Sequence, residues 1–192
     1  MNYALLALSW IVFYTLHSVL AASKIKRILE GKLGNAHKWY RLGYTLVSSL
    51  LFLGIMVQAL FIPKSILIPK GDLTDYLGYM FAGFGTIILT KSSKNYSLKR
   101  FLGFEPSPKE DENLVTTGLY SKIRHPLYAG LVLIFLGYFL FSGTVTAVVH
   151  LACLVLYLPF GIYFEEKKLV AQFGKAYQKY KLAVPSIIPR FW

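Results

Sequence analysis

Apolar residues in this chain come in long blocks rather than in narrow stripes. Residues 3–22 run for 20 positions without Asp, Glu, Lys or Arg, and residues 42–62 for 21. Each block matches the ~20 residues that an α-helix needs to cross a bilayer. Residues 76–90 form a shorter, glycine-containing block of 15, which spans if residues 73–75 and Lys91 reach the two interfaces. Residues 126–164 carry none of the four charged residue types over 39 positions. As one helix they would measure roughly 58 Å at about 1.5 Å per residue, nearly twice the ~30 Å hydrocarbon core. The block therefore has to double back, and Ser142-Gly143 near its middle is the natural turn. The pattern predicts an all-α, polytopic transmembrane helical bundle of about five spans. It ends in a helical hairpin with arms at 126–141 and 144–164. Beyond it, Leu169, Phe173, Tyr177 and Tyr180 recur at four- and three-residue spacing among lysines, so residues 165–180 read as a cytoplasmic amphipathic helix, suited to the interface or to packing under the bundle.

Charge then orients the bundle. Residues 23–41 hold six Lys/Arg, residues 91–124 seven and the tail six; residues 63–75 hold two, and the hairpin turn none. Nineteen basic residues thus fall on one side and two on the other. The positive-inside rule assigns the nineteen to the cytoplasm, with the N-terminus outside and the C-terminus inside. The net charge of +12 is accounted for by topology and attraction to anionic lipid, which argues against nucleic acid as a partner. The first block lacks a basic leader and a small-residue cleavage site, so it reads as a retained span. Cys153 is the sole cysteine, which rules out a disulfide framework within the chain. The whole of 1–192 reads as one integral-membrane domain, with three spans in 1–93 and the chemistry in 94–192.

The candidate chemistry lies at the open end of the hairpin. Its arms return the chain to the same side, so Arg124-His125 before the first arm should meet Glu165-Glu166 after the second. Pro126 suits the first helical position. The free N–H groups of that turn, beside Arg124 and His125, suit an acidic group. Tyr128 and Gly130 follow, and the glycine admits a ligand or a neighbouring backbone. Pro159 and Gly161 can bend the second arm. The same residues also admit a plainer reading, in which the bases snorkel to headgroups and the glutamates are solvated. His17, inside the first span and near its cytoplasmic end, either lines an acceptor pocket, acts as a base with Ser18, or bonds to a neighbouring helix. No ligand spacing supports a metal or haem held by His17, His37 and His125. His150 lies toward the outer side and reads as structural. Residues 102–122, with the acidic patch Glu110–Glu112, are long enough to fold over a site.

"GLYSKIRHPLYAG" at 118–130 resembles a signature of the integral-membrane methyltransferases, which include isoprenylcysteine carboxyl methyltransferases and phospholipid methyltransferases. "FEEKKLVAQFGKAYQKYKLAVPSIIP" at 164–189 is similar to the second half of that signature. Within the superfamily, "YTLHSVLAASKIK" and "HKWYRLGYT" resemble the NnrU-type proteins and the methanethiol S-methyltransferases. The resemblance implies S-adenosyl-L-methionine as cofactor, bound at the cytoplasmic end of the C-terminal helices. By motif, His125 and Tyr128 would meet the methionine end of the cofactor, and Arg124 would add positive charge or brace the loop. Glu165 and Glu166 would hold the ribose or orient the acceptor. Leu119, Tyr120 and the tail helix would wall the adenosine. The catalytic candidates are His17, Arg124 and Glu165. The cofactor-binding candidates are Leu119, Tyr120, His125, Tyr128, Gly130, Glu165 and Glu166. The prenylcysteine enzymes carry an arginine shortly before the paired glutamates, where this chain has Gly161-Ile162-Tyr163-Phe164. That absence favours a small thiol or lipid-like acceptor over a prenylcysteine. The expected activity is methyl transfer in the inner membrane; the alternative is a non-catalytic assembly or transport factor of NnrU type.

Overall fold

The structure, a computed structural model, describes residues 1–33, 39–94, 104 and 113–190. Among the described residues there are seven α-helices: α1 (Asn2–Leu20), α2 (Ser23–Leu33), α3 (Tyr40–Leu60), α4 (Asp72–Ser93), α5 (Pro126–Ser142), α6 (Val145–Phe173) and α7 (Lys175–Ala183), with a short 3-10 helix at Gly118–Ser121. Three of them, α1, α3 and α6, are long and apolar enough to cross a membrane; α5 is as apolar but has 17 residues. The protein is a helical integral-membrane protein. Its described residues divide into two compact units, 1–63 with 104, and 64–94 with 113–190.

In the first unit α1 packs on α3 through aromatic rings. Trp10, 1% exposed, stacks on Tyr14 at 5.2 Å and meets Phe52 edge-on at 5.9 Å. Tyr40 donates its hydroxyl to the Leu20 carbonyl at 2.7 Å, which satisfies an acceptor that the helix end leaves open. Helix α2 lies within the basic segment 23–41, where the charge pattern alone predicts a loop. Ile25, Ile28 and Leu29 recur at three- and four-residue spacing, with Lys24, Lys26 and Arg27 between them. This is a short amphipathic helix of the kind that lies in an interface.

In the second unit α4 and α5 come into backbone contact. A Cβ at Gly85 would lie 2.6 Å from the Gly130 carbonyl oxygen, and one at Gly137 would lie 2.6 Å from both Ala82 N and Gly78 O. Gly78 and Gly85 on one helix, Gly130 and Gly137 on the other, repeat every seven residues. That spacing keeps them on one face over two turns, and lipid-embedded helices pair closely where such small residues meet. At one end of this pair, Leu67 and Ile68 donate to the Gly143 carbonyl at 2.7 and 3.1 Å, and Val145 donates to Ser65 at 3.0 Å. The hairpin turn itself follows helix-end chemistry. Gly143 has φ 63° at the close of α5, and the Thr144 side chain accepts from Ala147 N at the start of α6.

The second arm is longer than expected. Helix α6 has 29 residues, and ~20 of them suffice for the hydrocarbon core. From Val145 that reaches Phe164, so Glu165 onward projects beyond the span. Pro159 does not stop the helix. Gly174 does, with φ 56°. The amphipathic stretch expected at 165–180 is therefore two helices, the end of α6 and the separate α7. Past α7 the chain returns to the start of α5: Arg124 N donates to Pro185 O at 2.9 Å and His125 N to Ser186 O at 3.0 Å.

Candidate active site

The hairpin brings the two charged pairs together. Arg124 donates through Nε and Nη2 to one oxygen of Glu166, at 2.9 and 2.7 Å. Its Nη1 donates to the carbonyls of Lys181, at 2.9 Å, and of Val184. His125 Nε2 lies 3.2 Å from that same Glu166 oxygen. Lys181 Nζ closes on the other Glu166 oxygen at 2.6 Å. Burial alone would raise the Glu166 carboxyl, but the hydrogen bonds from Lys181, Arg124 and His125 outweigh it and hold the group at about 2. An ionised carboxylate only accepts, so the His125 proton facing it sits on Nε2.

Glu166 is thus saturated, and Glu165 is not. The Glu166 side chain is 8% exposed and that of Glu165 45%. Glu165 Oε2 lies 3.6 Å from His125 Nδ1, beyond a hydrogen bond. The Tyr128 phenol interacts with the Glu165 carboxylate, and its ring lies 5.7 Å from the imidazole of His125. One open carboxylate, an imidazole edge and a phenol thus face the same place. Behind them a buried ion network fixes the imidazole.

Leu119, Tyr120 and Gly130 lie on the elements next to this group in the second unit. Tyr120 is 7% exposed, and its carbonyl accepts from the Tyr180 hydroxyl at 2.6 Å. Leu119 precedes it, half-buried, in the 3-10 helix. Gly130 faces α4: a Cβ there would lie 2.9 Å from Gly85 O and 3.2 Å from Leu89 N. This is the close approach of a neighbouring backbone that a glycine admits. His17 belongs to the first unit. Its Nδ1 pairs with Ser48 Oγ at 3.0 Å, across from α1 to α3, and the ring stacks on Phe13 at 5.8 Å. His37 and the patch Glu110–Glu112 lie outside the described residues. Lys181 and the tail carbonyls are the site residues that sequence reasoning missed. Their signal was a lysine in the last turn of a helix followed by Val-Pro.

The profile of the phospholipid methyltransferase family matches residues 73–176, more than half of the chain and most of the second unit. The chain belongs to this family. It is 29% identical over 194 residues to methanethiol S-methyltransferase 2 of Bradyrhizobium diazoefficiens, with 94% of this chain and 71% of the relative covered. It is 35% identical over 89 residues to a methanethiol S-methyltransferase of Crocosphaera subtropica, covering 46% of this chain and 34% of the relative. It is 40% identical over 82 residues to the protein-S-isoprenylcysteine O-methyltransferase of Schizosaccharomyces pombe, covering 42% and 34%. No solved structure matches the chain significantly. The protein is a membrane methyltransferase.

Proposed function

We propose that the protein transfers a methyl group from S-adenosylmethionine to a small thiol at the cytoplasmic face of the inner membrane. The observation that carries this is the unequal pair of glutamates beside His125: one locked in a buried ion network, one open. The open group fits the cofactor by its chemistry. The Glu165 carboxylate accepts an ammonium or a ribose hydroxyl, and the Tyr128 ring offers a polarisable face to a cation. Leu119, Tyr120 and α7 would wall the adenosine, and His125 and Tyr128 would hold the methionine end. When bound, S-adenosylmethionine supplies a methyl group already activated on a sulfonium, so the chain's work is positioning and exclusion of water. Arg124 braces the loop in this scheme, since its guanidinium is spent on Glu166 and the tail carbonyls. Gly130 serves packing, and His17 serves by tying α1 to α3.

A thiol acceptor is supported by the methanethiol enzyme similar to this chain over 94% of its length, and by the absence of arginine from residues 161–164. A thiol must lose its proton before it attacks, and the Glu165 oxygen that the cofactor leaves free is the base assigned to it in this scheme. A lipid-like acceptor is the second reading, favoured by membership of the phospholipid methyltransferase family. The charge asymmetry supports five spans, α4 and α5 completing the count, with the N-terminus outside and the C-terminus in the cytoplasm. The test is transfer of labelled methyl from S-adenosylmethionine by purified protein in nanodiscs to methanethiol, phosphatidylethanolamine or a prenylcysteine. Labelled dimethyl sulfide as the main product is expected. Exclusive labelling of lipid or prenylcysteine would overturn the thiol acceptor, and no transfer to any would overturn the cofactor as well.

A further inference from the structure

Tyr157 lies eight residues before Glu165, with Gly161 midway, so all three share one face of α6. The Tyr157 ring runs along the helix toward Glu165. A Cβ at Gly161 would lie 3.0 Å from Cε1, 3.2 Å from Cζ and 3.3 Å from the hydroxyl of Tyr157. Long side chains on a helix ordinarily lean toward its N-terminus; this one reaches the other way, over a residue that has no side chain. Gly161 is buried and Tyr157 half-buried. The neighbouring positions Leu156, Phe160, Tyr163 and Phe164 are 71%, 65%, 61% and 51% exposed, so they form a separate, outward face of the same helix. Tyr128, which interacts with Glu165, is also within electrostatic range of Tyr157. Two phenols from α5 and α6 and one open carboxylate thus converge. Tyr157 lies two turns of α6 before Glu165, on the side of it toward the apolar part of the helix.

Resting on the thiol-methyltransferase reading, we propose that Tyr157 determines acceptor size, and that Gly161 is there to let its ring lie across the bilayer side of the pocket. A short thiol fits between this ring and Glu165. A longer alkyl chain, which would extend into the span, meets the ring edge. Pocket shape of this kind discriminates by about 10- to 200-fold for one methylene, enough to separate a one-carbon thiol from a six-carbon one. Replacing Gly161 with any larger residue displaces the ring.

The experiment measures two quantities for wild type, Tyr157→Ala, Tyr157→Phe and Gly161→Ala. One is the ratio of kcat/KM for hexanethiol over methanethiol. The other needs no turnover: the Kd of each thiol by calorimetry with S-adenosylhomocysteine bound, which has no methyl to give. The expected result for Tyr157→Ala is a ratio raised at least tenfold, with tighter hexanethiol binding and an S-adenosylhomocysteine Kd within twofold of wild type. Tyr157→Phe, which keeps the ring, keeps the wild-type ratio. Gly161→Ala weakens methanethiol binding. A ratio and thiol Kd values within twofold of wild type in folded Tyr157→Ala would overturn the role of Tyr157 while leaving the thiol reading intact. Failure of the wild type to bind or methylate any thiol would overturn both.

Discussion

Glu165 and Glu166 are neighbours in the chain and opposites in circumstance. Glu166 accepts from Arg124, His125 and Lys181; Glu165 keeps a 45% exposed side chain. Removing one partner from a buried ion network strands the others and costs about 3 kcal/mol or more. Glu166→Gln is therefore expected to lower the melting temperature in detergent by many degrees, whereas Glu165→Gln leaves it within two or three. A similar loss in both variants would contradict the division. The same network sets a pH dependence. The folded Glu166 carboxyl is held at about 2, below its ordinary ~4.3. Its contribution is fully present above the ordinary value and is lost as pH falls from there toward 2. Thermal melts between pH 7 and pH 3 should show stability declining below pH 5 in wild type, with a shallower slope in Glu166→Gln. That Arg124-His125 and the paired glutamates would meet was legible, because a doubled-back block leaves no other arrangement. Which glutamate is buried was not. The deciding partners, Lys181 and the carbonyls of Lys181 and Val184, arrive through a reversal that side-chain pattern does not encode.

At the scale of elements, the α4–α5 pair depends on glycine at particular positions. Gly85→Val and Gly137→Val should prevent close approach and yield aggregated or protease-sensitive protein, since any Cβ there meets backbone at 2.6 Å. Gly83→Val is the control, because nothing lies within 4 Å of a Cβ at that position. Limited proteolysis of the three variants separates packing from a general intolerance of β-branched residues. Gly174→Ala places a side chain at φ 56° and should cost on the order of 1 kcal/mol. It should also weaken cofactor binding, because α7 braces Arg124. The hairpin and its turn at Ser142-Gly143 could be read from sequence because 39 uncharged residues exceed one bilayer. The break at Gly174 could not: Leu169, Phe173, Tyr177 and Tyr180 keep helical spacing straight across it. Helix α2 was hidden for a related reason, since its many lysines mark a loop as readily as an interfacial helix.

At the scale of the whole molecule, the proposed five-span arrangement would put nineteen of the 21 basic residues on one side. With Cys153 replaced by serine, a single cysteine at Ser65 should react with an impermeant maleimide on intact cells, and one at Ser121 only after lysis. The reverse pattern would invert the proposed orientation. Membrane class and family membership could be read from the chain, because block length and the two motif halves are local properties. The acceptor could not, because it depends on the space between side chains of different helices. The central claim is that an open carboxylate beside a fixed histidine holds S-adenosylmethionine. Calorimetric titration of that compound into purified wild type and Glu165→Gln, whose fold the substitution should leave intact, tests it most directly. The account predicts saturable binding to wild type and at least a tenfold weaker Kd in the variant. Equal binding by both proteins, or none by well-folded wild type, would contradict it.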